Sequence, residues 1–450
     1  MTRKRSTFGG YFGTLMVVAG SVIGLGNIWR FPYVAGENGG AAFILIYITV
    51  SLLISVPVML SEFVIGRKSR RNAMRSFKKL APRQPAWRGV GLLGIMTAFF
   101  ILAFYNVIAG WSIEFLFGSV AGKYNGLDSA GLKENFDDFV NSGWRPWIWL
   151  FAYTISVAVI VGRGVTKGIE KSNKIIMPLM FFILLGMAIN SFWLDGFKEG
   201  VAFLLDPDFS KITPRIVLAA VGQSFFSMSI GMGAMITYGS YMRKTENMFQ
   251  VAGTVAISDV CIAILSGLAI FPAVFTFGIN PTSGPELVFL TLPSIFAQMP
   301  GGYIISILFF FLLFAAAITS SMSLLEVIVS YVSEEFRIRR RTATILTAVL
   351  VTTFGSICAF SQVDGSAIRI AGMNFFDLFD KATSLYMMPI GGMLIVVFAG
   401  WIVKSGLFKR ELTSDYQYGT KIIAPVVRSL VKFVIPIFIL LMFLSQLGFF

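Results

Sequence analysis

Two short motifs set out the chemistry available to this chain: Ile23-Gly24-Leu25-Gly26 and Ile230-Gly231-Met232-Gly233. Both lie inside long apolar stretches. Glycine in a helix interior is about 1 kcal/mol worse than alanine, so paired glycines invite the backbone to unwind there. An interrupted helix leaves free N–H groups at the start of one half and free C=O groups at the end of the other. The N–H end attracts anions and the C=O end cations. Around the first break stand Gly20, Ser21, Val22, Asn27 and Arg30; around the second, Gln223, Phe226, Ser227 and Ser229. These residues supply amide, hydroxyl and carbonyl oxygens, the ligands hard cations take. A lone serine would be satisfied by a bond back to its own helix. Several at two matched breaks point instead to a site for a carboxylate and alkali cations.

Two further segments carry polar groups in apolar surroundings. Ala315-Ala316-Ala317-Ile318-Thr319-Ser320-Ser321 combines small residues, which let membrane helices approach closely, with three consecutive hydroxyls. Asp259, in Ile257-Ser258-Asp259-Val260, would cost about 2.5–3.5 kcal/mol at a membrane centre and needs a partner, for which a bound cation serves. An aspartate nearer the interface is the plainer reading.

The elements that must position these residues are membrane spans. Hydrophobic residues make up 56% of the chain and charged residues 13%, against about 25% charged in soluble domains. A helical span needs about 20 mostly apolar residues. Eleven such segments are predicted, at roughly 11–36, 41–66, 88–121, 146–163, 168–193, 214–241, 249–278, 301–335, 341–360, 371–403 and 421–449. No signal-peptide cleavage pattern precedes the first. Residues 278–302, rich in proline and glycine, are expected to form an external lid rather than a span. Gly168 and Pro178 mark the fifth span as a candidate for unwinding at its cytoplasmic end, the simpler alternative being a helix that starts late, at Pro178.

The net charge of +14 lies on alternate loops: Arg67 to Arg88 holds nine basic residues and no acid, whereas 122–145 carries Asp128, Glu134, Asp137 and Asp138. This is the positive-inside pattern, not a nucleic-acid patch. It predicts a multi-pass protein of the cell inner (cytoplasmic) membrane, N-terminus in the cytoplasm and, with eleven spans, C-terminus outside. The chain has no histidine, which removes His-based acid–base catalysis and His metal sites. Cys261 and Cys358 show no metal-ligand spacing. No phosphate-binding Gly-rich loop ending in Lys-Ser/Thr is present. No enzyme and no cofactor are therefore expected.

The two glycine breaks fall in the first and sixth spans. Five spans is an odd number, so a second group of five enters the membrane in the opposite direction, as in inverted-repeat transporters. The predicted organisation is a cytoplasmic segment 1–10, a first five-helix repeat 11–193, a second 214–403 and an eleventh span 421–449. The fold class is an all-α polytopic membrane protein, a ten-helix inverted-repeat core with broken first and sixth helices plus one extra C-terminal span.

The run from Gly20 to Tyr33 (GSVIGLGNIWRFPY), followed by Glu37-Asn38-Gly39-Gly40, and residues 222–241 (GQSFFSMSIGMGAMITYGSY) resemble the first- and sixth-span signatures of the neurotransmitter:sodium symporters, a resemblance that covers about residues 5–400. It implies a central amino-acid site beside two sodium sites. The first sodium site would comprise the Val22 carbonyl, Asn27, Ser227 and Asp259 with the substrate carboxylate; the second, the carbonyls of Gly20, Ile23 and Ala316 with the Thr319 and Ser320 hydroxyls. The substrate site would include the Gly24 and Gly26 amides, Ile101, Tyr105, Ile108, Phe226, Ser229, Met232, Ser323 and Leu324. Arg30 with Asp380, helped by Gln223, resembles an outer gate. Arg5 with Glu334, near Phe8 and Tyr241, resembles an inner gate, although Phe8 stands where Trp is usual and Glu334 where Asp is usual.

The resemblance implies sodium-coupled uptake by alternating access. Gly24 stands where amine-transporting members carry an aspartate, so the substrate would bring its own carboxylate. Met232, flexible and polarizable, occupies a position that is often aromatic and leaves room for bulk. The expected substrate is a neutral hydrophobic or aromatic L-amino acid. No chloride requirement is expected, because Asp259 supplies a fixed negative charge; in some chloride-independent members the acid sits four residues on, at the position of Ala263. A proton-coupled or exchange transporter of the same fold, a channel and a non-transporting amino-acid sensor are the alternatives.

Overall fold

The computed structural model describes residues 5–278, 287–299, 301–370, 372–414 and 423–446. Nine helices among them are long and apolar enough to cross a membrane: Ala41–Ser69, Pro85–Val120, Trp144–Gly162, Val165–Trp193, Met248–Thr276, Gly302–Glu335, Arg340–Ser361, Phe375–Ile402 and Ile423–Ser445. The remaining two spans are the broken ones. The first runs Tyr11–Val22, breaks, resumes at Gly26–Glu37 and bends by 44°. The sixth runs Pro214–Ser227 and resumes at Ala234–Gly239. Together they form the predicted ten-helix inverted-repeat core with an eleventh span.

Both interruptions follow from local chemistry. In the second, Ser229, Gly231 and Gly233 have φ of +52°, +81° and +75°. A run of left-handed positions cannot continue a right-handed helix, and glycine takes them without a Cβ penalty. Ser229 does bear that penalty, a form of strain that collects at functional sites. The first break is shorter and passes into a π-helical turn, Gly26–Arg30.

Two expectations need correction, and a third falls partly outside the described residues. Pro178 does not start the fifth span: it lies inside the helix Lys171–Asn190, which a π-turn, Val165–Glu170, precedes, so the segment 168–178 is helical here rather than unwound. The tenth span begins at Phe375 instead of 371, because Arg369–Ile370 pairs with Met373–Asn374 and the Asn374 side chain accepts the Asp377 N–H, capping the helix start. In the region expected to be a lid, residues 279–286 and 300 lie outside the described residues; the described part holds a π-turn, Leu287–Thr291, leading into a short apolar helix, Leu292–Gln298, with Leu292, Ile295 and Phe296 buried.

Contacts sort the loops into two ends. At one, the basic end, Arg5 meets Glu334, Arg75 meets Glu335, Arg67 meets Glu411, and Arg340 meets Glu326 and the Val161 carbonyl. At the other, Tyr303 donates to the Val120 carbonyl and Asn141 to Asp364. The breaks lie between these ends, in the middle of the bundle.

Candidate substrate and cation site

The two breaks are tied to each other and to neighbouring helices. The Ser229 hydroxyl donates to the Ser21 carbonyl at 2.7 Å, satisfying a carbonyl freed where the first half-helix ends. Gln223 donates to the Gly26 carbonyl at 2.8 Å. On the second span, the Glu62 carboxylate accepts the Gly231 N–H at 2.8 Å and the Ile236 N–H at 3.2 Å. That places a fully buried carboxylate at the positive end of the half-helix Ala234–Gly239. Glu62 was missed at the sequence level. Its signal was an acid inside the apolar second span, of the same kind that singled out Asp259.

Between the breaks lies a small cavity lined by Ser21, Val22, Gly26, Ile101, Tyr105, Phe226, Ser227, Ser229, Met232, Ser320 and Leu324. Seven of the ten expected substrate residues are therefore brought together: Gly26, Ile101, Tyr105, Phe226, Ser229, Met232 and Leu324. Three are not. Gly24 lies behind the wall, where an added Cβ would run into the Ser320 hydroxyl, and its N–H is directed at the Asn27 amide oxygen. The next amide, that of Leu25, is the one that reaches the Tyr105 hydroxyl, at 3.3 Å. Ile108 is buried in the core. The Ser323 hydroxyl is held by Tyr238 and the Thr319 carbonyl. The Ser21 hydroxyl has no hydrogen-bond partner among the described residues.

Asn27, Ser227 and Asp259 converge as a cluster. Asp259 accepts from the Asn27 amide at 2.7 Å and from the Ser227 hydroxyl, and Ser227 also lies 3.3 Å from the Asn27 oxygen. Tyr47 of the second span donates to the other Asp259 oxygen. Sequence spacing offered no sign of Tyr47, because nothing in the chain shows which of thirteen tyrosines faces an acid five spans away. Asp259 is completely buried, so the reading of an interfacial aspartate fails. Its three donors lower the cost of burying it.

The second group of oxygens is also assembled. Thr319 donates to the Ala316 carbonyl at 2.8 Å, with the Ile23 carbonyl 3.4 Å away. Gly24 packs against Ser320, and Gly20 against Asn173 and Thr319: a Cβ built on Gly24 would meet the Ser320 hydroxyl, and one built on Gly20 would meet the Asn173 amide oxygen, with the Thr319 Cβ 3.4 Å away. Asn173, on the fifth span, is fully buried, and its amide oxygen has no hydrogen-bond partner among the described residues. Such an orphan costs roughly 1–3 kcal/mol unless something satisfies it. The oxygens here suit a hard monovalent cation better than a soft metal. Among the described residues, no group of three or more His, Cys, Asp or Glu could hold a metal ion.

The residues expected to form gates are placed as follows. Arg30 and Asp380 meet through Ser384, which lies 3.4 Å from Arg30 and donates to Asp380 at 2.9 Å. The Arg30 guanidinium also sits 4.4 Å over the Phe226 ring. Gln223 acts on the break, through Gly26, rather than on this pair. At the basic end, Arg5 pairs with Glu334, donates to Ser240 at 2.7 Å and lies 4.5 Å over Tyr241. Burial lowers the Arg5 pKa, an effect opposed by Tyr241 and Glu326. Phe8, which stands where the resemblance has a larger aromatic ring, is fully buried and edge-on to Tyr238 and Tyr241. An acid that the sequence did not single out, Glu326, links this cluster to Arg340 and accepts from Tyr241 at 2.6 Å.

Comparison with known proteins places this geometry among transporters. The sodium:neurotransmitter symporter family matches residues 5–128 and 130–450. The chain is 36% identical over 439 residues to an uncharacterized sodium-dependent transporter of Bacillus subtilis, covering 97% of this chain and 96% of that protein. It is 36% identical over 458 residues to one from Haemophilus influenzae, covering 99% of each. The crystal structure of MhsT in complex with L-phenylalanine superposes with a TM-score of 0.91 at 42% identity, covering 98% of this chain and 100% of MhsT.

Proposed function

From the premise that the chain belongs to the sodium:neurotransmitter symporter family, and so is a multi-pass sodium-coupled transporter rather than an enzyme, we propose that it carries neutral hydrophobic or aromatic L-amino acids into the cytoplasm by alternating access. The observation that carries this reading is the cavity between the breaks. One wall is backbone and hydroxyl, from Ser21, Gly26 and Ser229; the other is apolar, from Ile101, Phe226, Met232 and Leu324. Among the described residues, no charged side chain lines it. A zwitterion with an apolar side chain matches both walls, its carboxylate toward the first break and the Tyr105 hydroxyl. The relative MhsT was solved with L-phenylalanine bound, which favours the same substrate class.

Two sodium ions would be held beside that cavity. Asn27, Ser227, Asp259 and the Val22 carbonyl would take the first; the Gly20, Ile23 and Ala316 carbonyls with Thr319 and Ser320 the second, and the unpartnered Asn173 oxygen faces the second from the fifth span. Each charge entering a cell at an inside-negative 100 mV contributes about 2.3 kcal/mol, roughly fiftyfold accumulation per ion. Asp259 makes a chloride ion unnecessary. The basic end is taken as cytoplasmic on the positive-inside pattern, which leaves the Arg30–Ser384–Asp380 bridge as the outer gate and the Arg5–Glu334 cluster as the inner one. With about 20 Å³ of free space, the cavity holds about one water, so an amino acid enters only as Phe226 and the Arg30 guanidinium above it swing aside.

The test is binding of a panel of amino acids to purified protein in sodium chloride, sodium gluconate and potassium chloride, followed by uptake into liposomes. Sodium-dependent, chloride-indifferent binding of leucine- or phenylalanine-like substrates is expected. Equal binding in potassium would remove the sodium sites, and binding without uptake would indicate a sensor.

A further inference from the structure

The fourth and ninth spans, Trp144–Gly162 and Arg340–Ser361, are among the least buried of the bundle, with only 33% and 39% of their apolar windows covered by protein. Between them runs an apolar groove of about 600 Å³. Small residues, among them Ala158, Gly162 and Ala348, form its floor; exposed Phe151, Ile155 and Ile345 form its walls. At the basic end the groove is closed by Arg163 and Arg341. Both are exposed, and neither side chain has a hydrogen-bond or ion-pair partner among the described residues. Their neighbour Arg340 turns the other way, into the protein, where it holds Glu326 and the Val161 carbonyl.

We propose that this groove binds one anionic phospholipid, its phosphate between Arg163 and Arg341 and an acyl chain along the fourth and ninth spans. The length fits. From Arg163 to Phe151 is about a dozen residues, roughly 18 Å of helix, close to the ~15 Å of hydrocarbon in one leaflet. The charge fits as well: two unpaired guanidinium groups at headgroup depth present fork-shaped donors that match phosphate oxygens, and basic pockets between spans on the positive side of a membrane protein recognise anionic headgroups. A second copy of the chain fits poorly, since a two-fold contact puts the same patch on both partners and would bring four arginines together without a counter-charge. The lipid would also brace the helix start that carries Arg340, and through it Glu326 and Tyr241 beside Arg5.

The experiment is titration of purified, delipidated protein with dioleoyl phosphatidylglycerol or dioleoyl phosphatidylcholine, counting bound lipid by native mass spectrometry. Wild type is expected to retain one phosphatidylglycerol in preference to phosphatidylcholine. Each of Arg163→Gln and Arg341→Gln should weaken phosphatidylglycerol retention about fivefold, and the double variant roughly thirtyfold. Ala158→Phe with Ala348→Phe fills the groove, keeps both charges and should weaken both lipids. Folding of each variant is checked by helical circular dichroism, so loss of lipid in an unfolded protein is not counted. The proposal is overturned if wild type retains phosphatidylcholine equally, if the double arginine variant retains phosphatidylglycerol as wild type does, if glycerol phosphate without acyl chains displaces the lipid, or if a Thr352→Cys variant cross-links two copies through this face.

Discussion

Glu62 is the most exposing residue to perturb, because it holds the second break open from outside both breaks. Its carboxylate takes two backbone N–H groups, from Gly231 and Ile236, that have no helical carbonyl to use. Glu62→Gln keeps the shape and one acceptor but turns an NH2 toward the other N–H, losing one charge-assisted bond of about 1.5–3 kcal/mol and the favourable interaction of an anion with a half-helix start, up to about 2 kcal/mol in a buried setting. Relief from burying a charge offsets part of this. The net loss is expected at about 1–3 kcal/mol. Since Ser229, Gly231 and Met232 shape the cavity, substrate affinity should fall about five- to hundredfold, and the thermal transition in detergent should move down. Glu62→Leu, which leaves both N–H groups bare, should cost more. Tryptophan fluorescence melts and amino-acid binding measure both effects. Wild-type affinity and melting in Glu62→Gln would refute the reasoning, showing that the break is held by the left-handed positions alone.

Three other outcomes follow from the same geometry. Asp259→Asn keeps an oxygen but removes a charge worth about 4 kcal/mol to an ion 4 Å away at an effective dielectric of 20; allowing for relief of its burial, sodium affinity in chloride-free gluconate should drop ten- to hundredfold, and an unchanged sodium titration would remove Asp259 from the cation site. Gly24→Asp should abolish binding of zwitterionic amino acids, because its carboxylate would stand behind Ser320, which lines the cavity, and like charges in a desolvated site cost several kcal/mol; since any Cβ there meets the Ser320 hydroxyl, Gly24→Ala is the steric control, and an equal loss in it would assign the effect to crowding. Pro178→Ala restores a backbone donor inside the fifth-span helix and should slow transport and reduce hydrogen exchange across 168–178 while leaving substrate affinity largely intact; unchanged exchange with wild-type turnover would dissociate this segment from ion release.

The sequence by itself determined the spans, the two breaks and the sign of each loop. Those properties are local: apolar length, paired glycines and runs of Lys and Arg act within a few turns of the chain, and the bilayer enforces them. The candidate oxygens near the breaks, Ser21, Asn27, Ser227 and Ser229, were legible for the same reason. Tertiary structure decided which groups complete them. Glu62 reaches Gly231, Tyr47 reaches Asp259 and Glu326 reaches Tyr241 and Arg340 across 14 to 212 positions, and no periodicity encodes such pairings. It also decided orientation: Leu25, rather than Gly24, sends its amide to Tyr105, Gln223 bonds the Gly26 carbonyl at the break, and Arg341 lines the outer groove while Arg340 faces Glu326. A helix advances each residue by about 100°, so neighbours in sequence part company in space, and only the packed bundle says which of them meets the site.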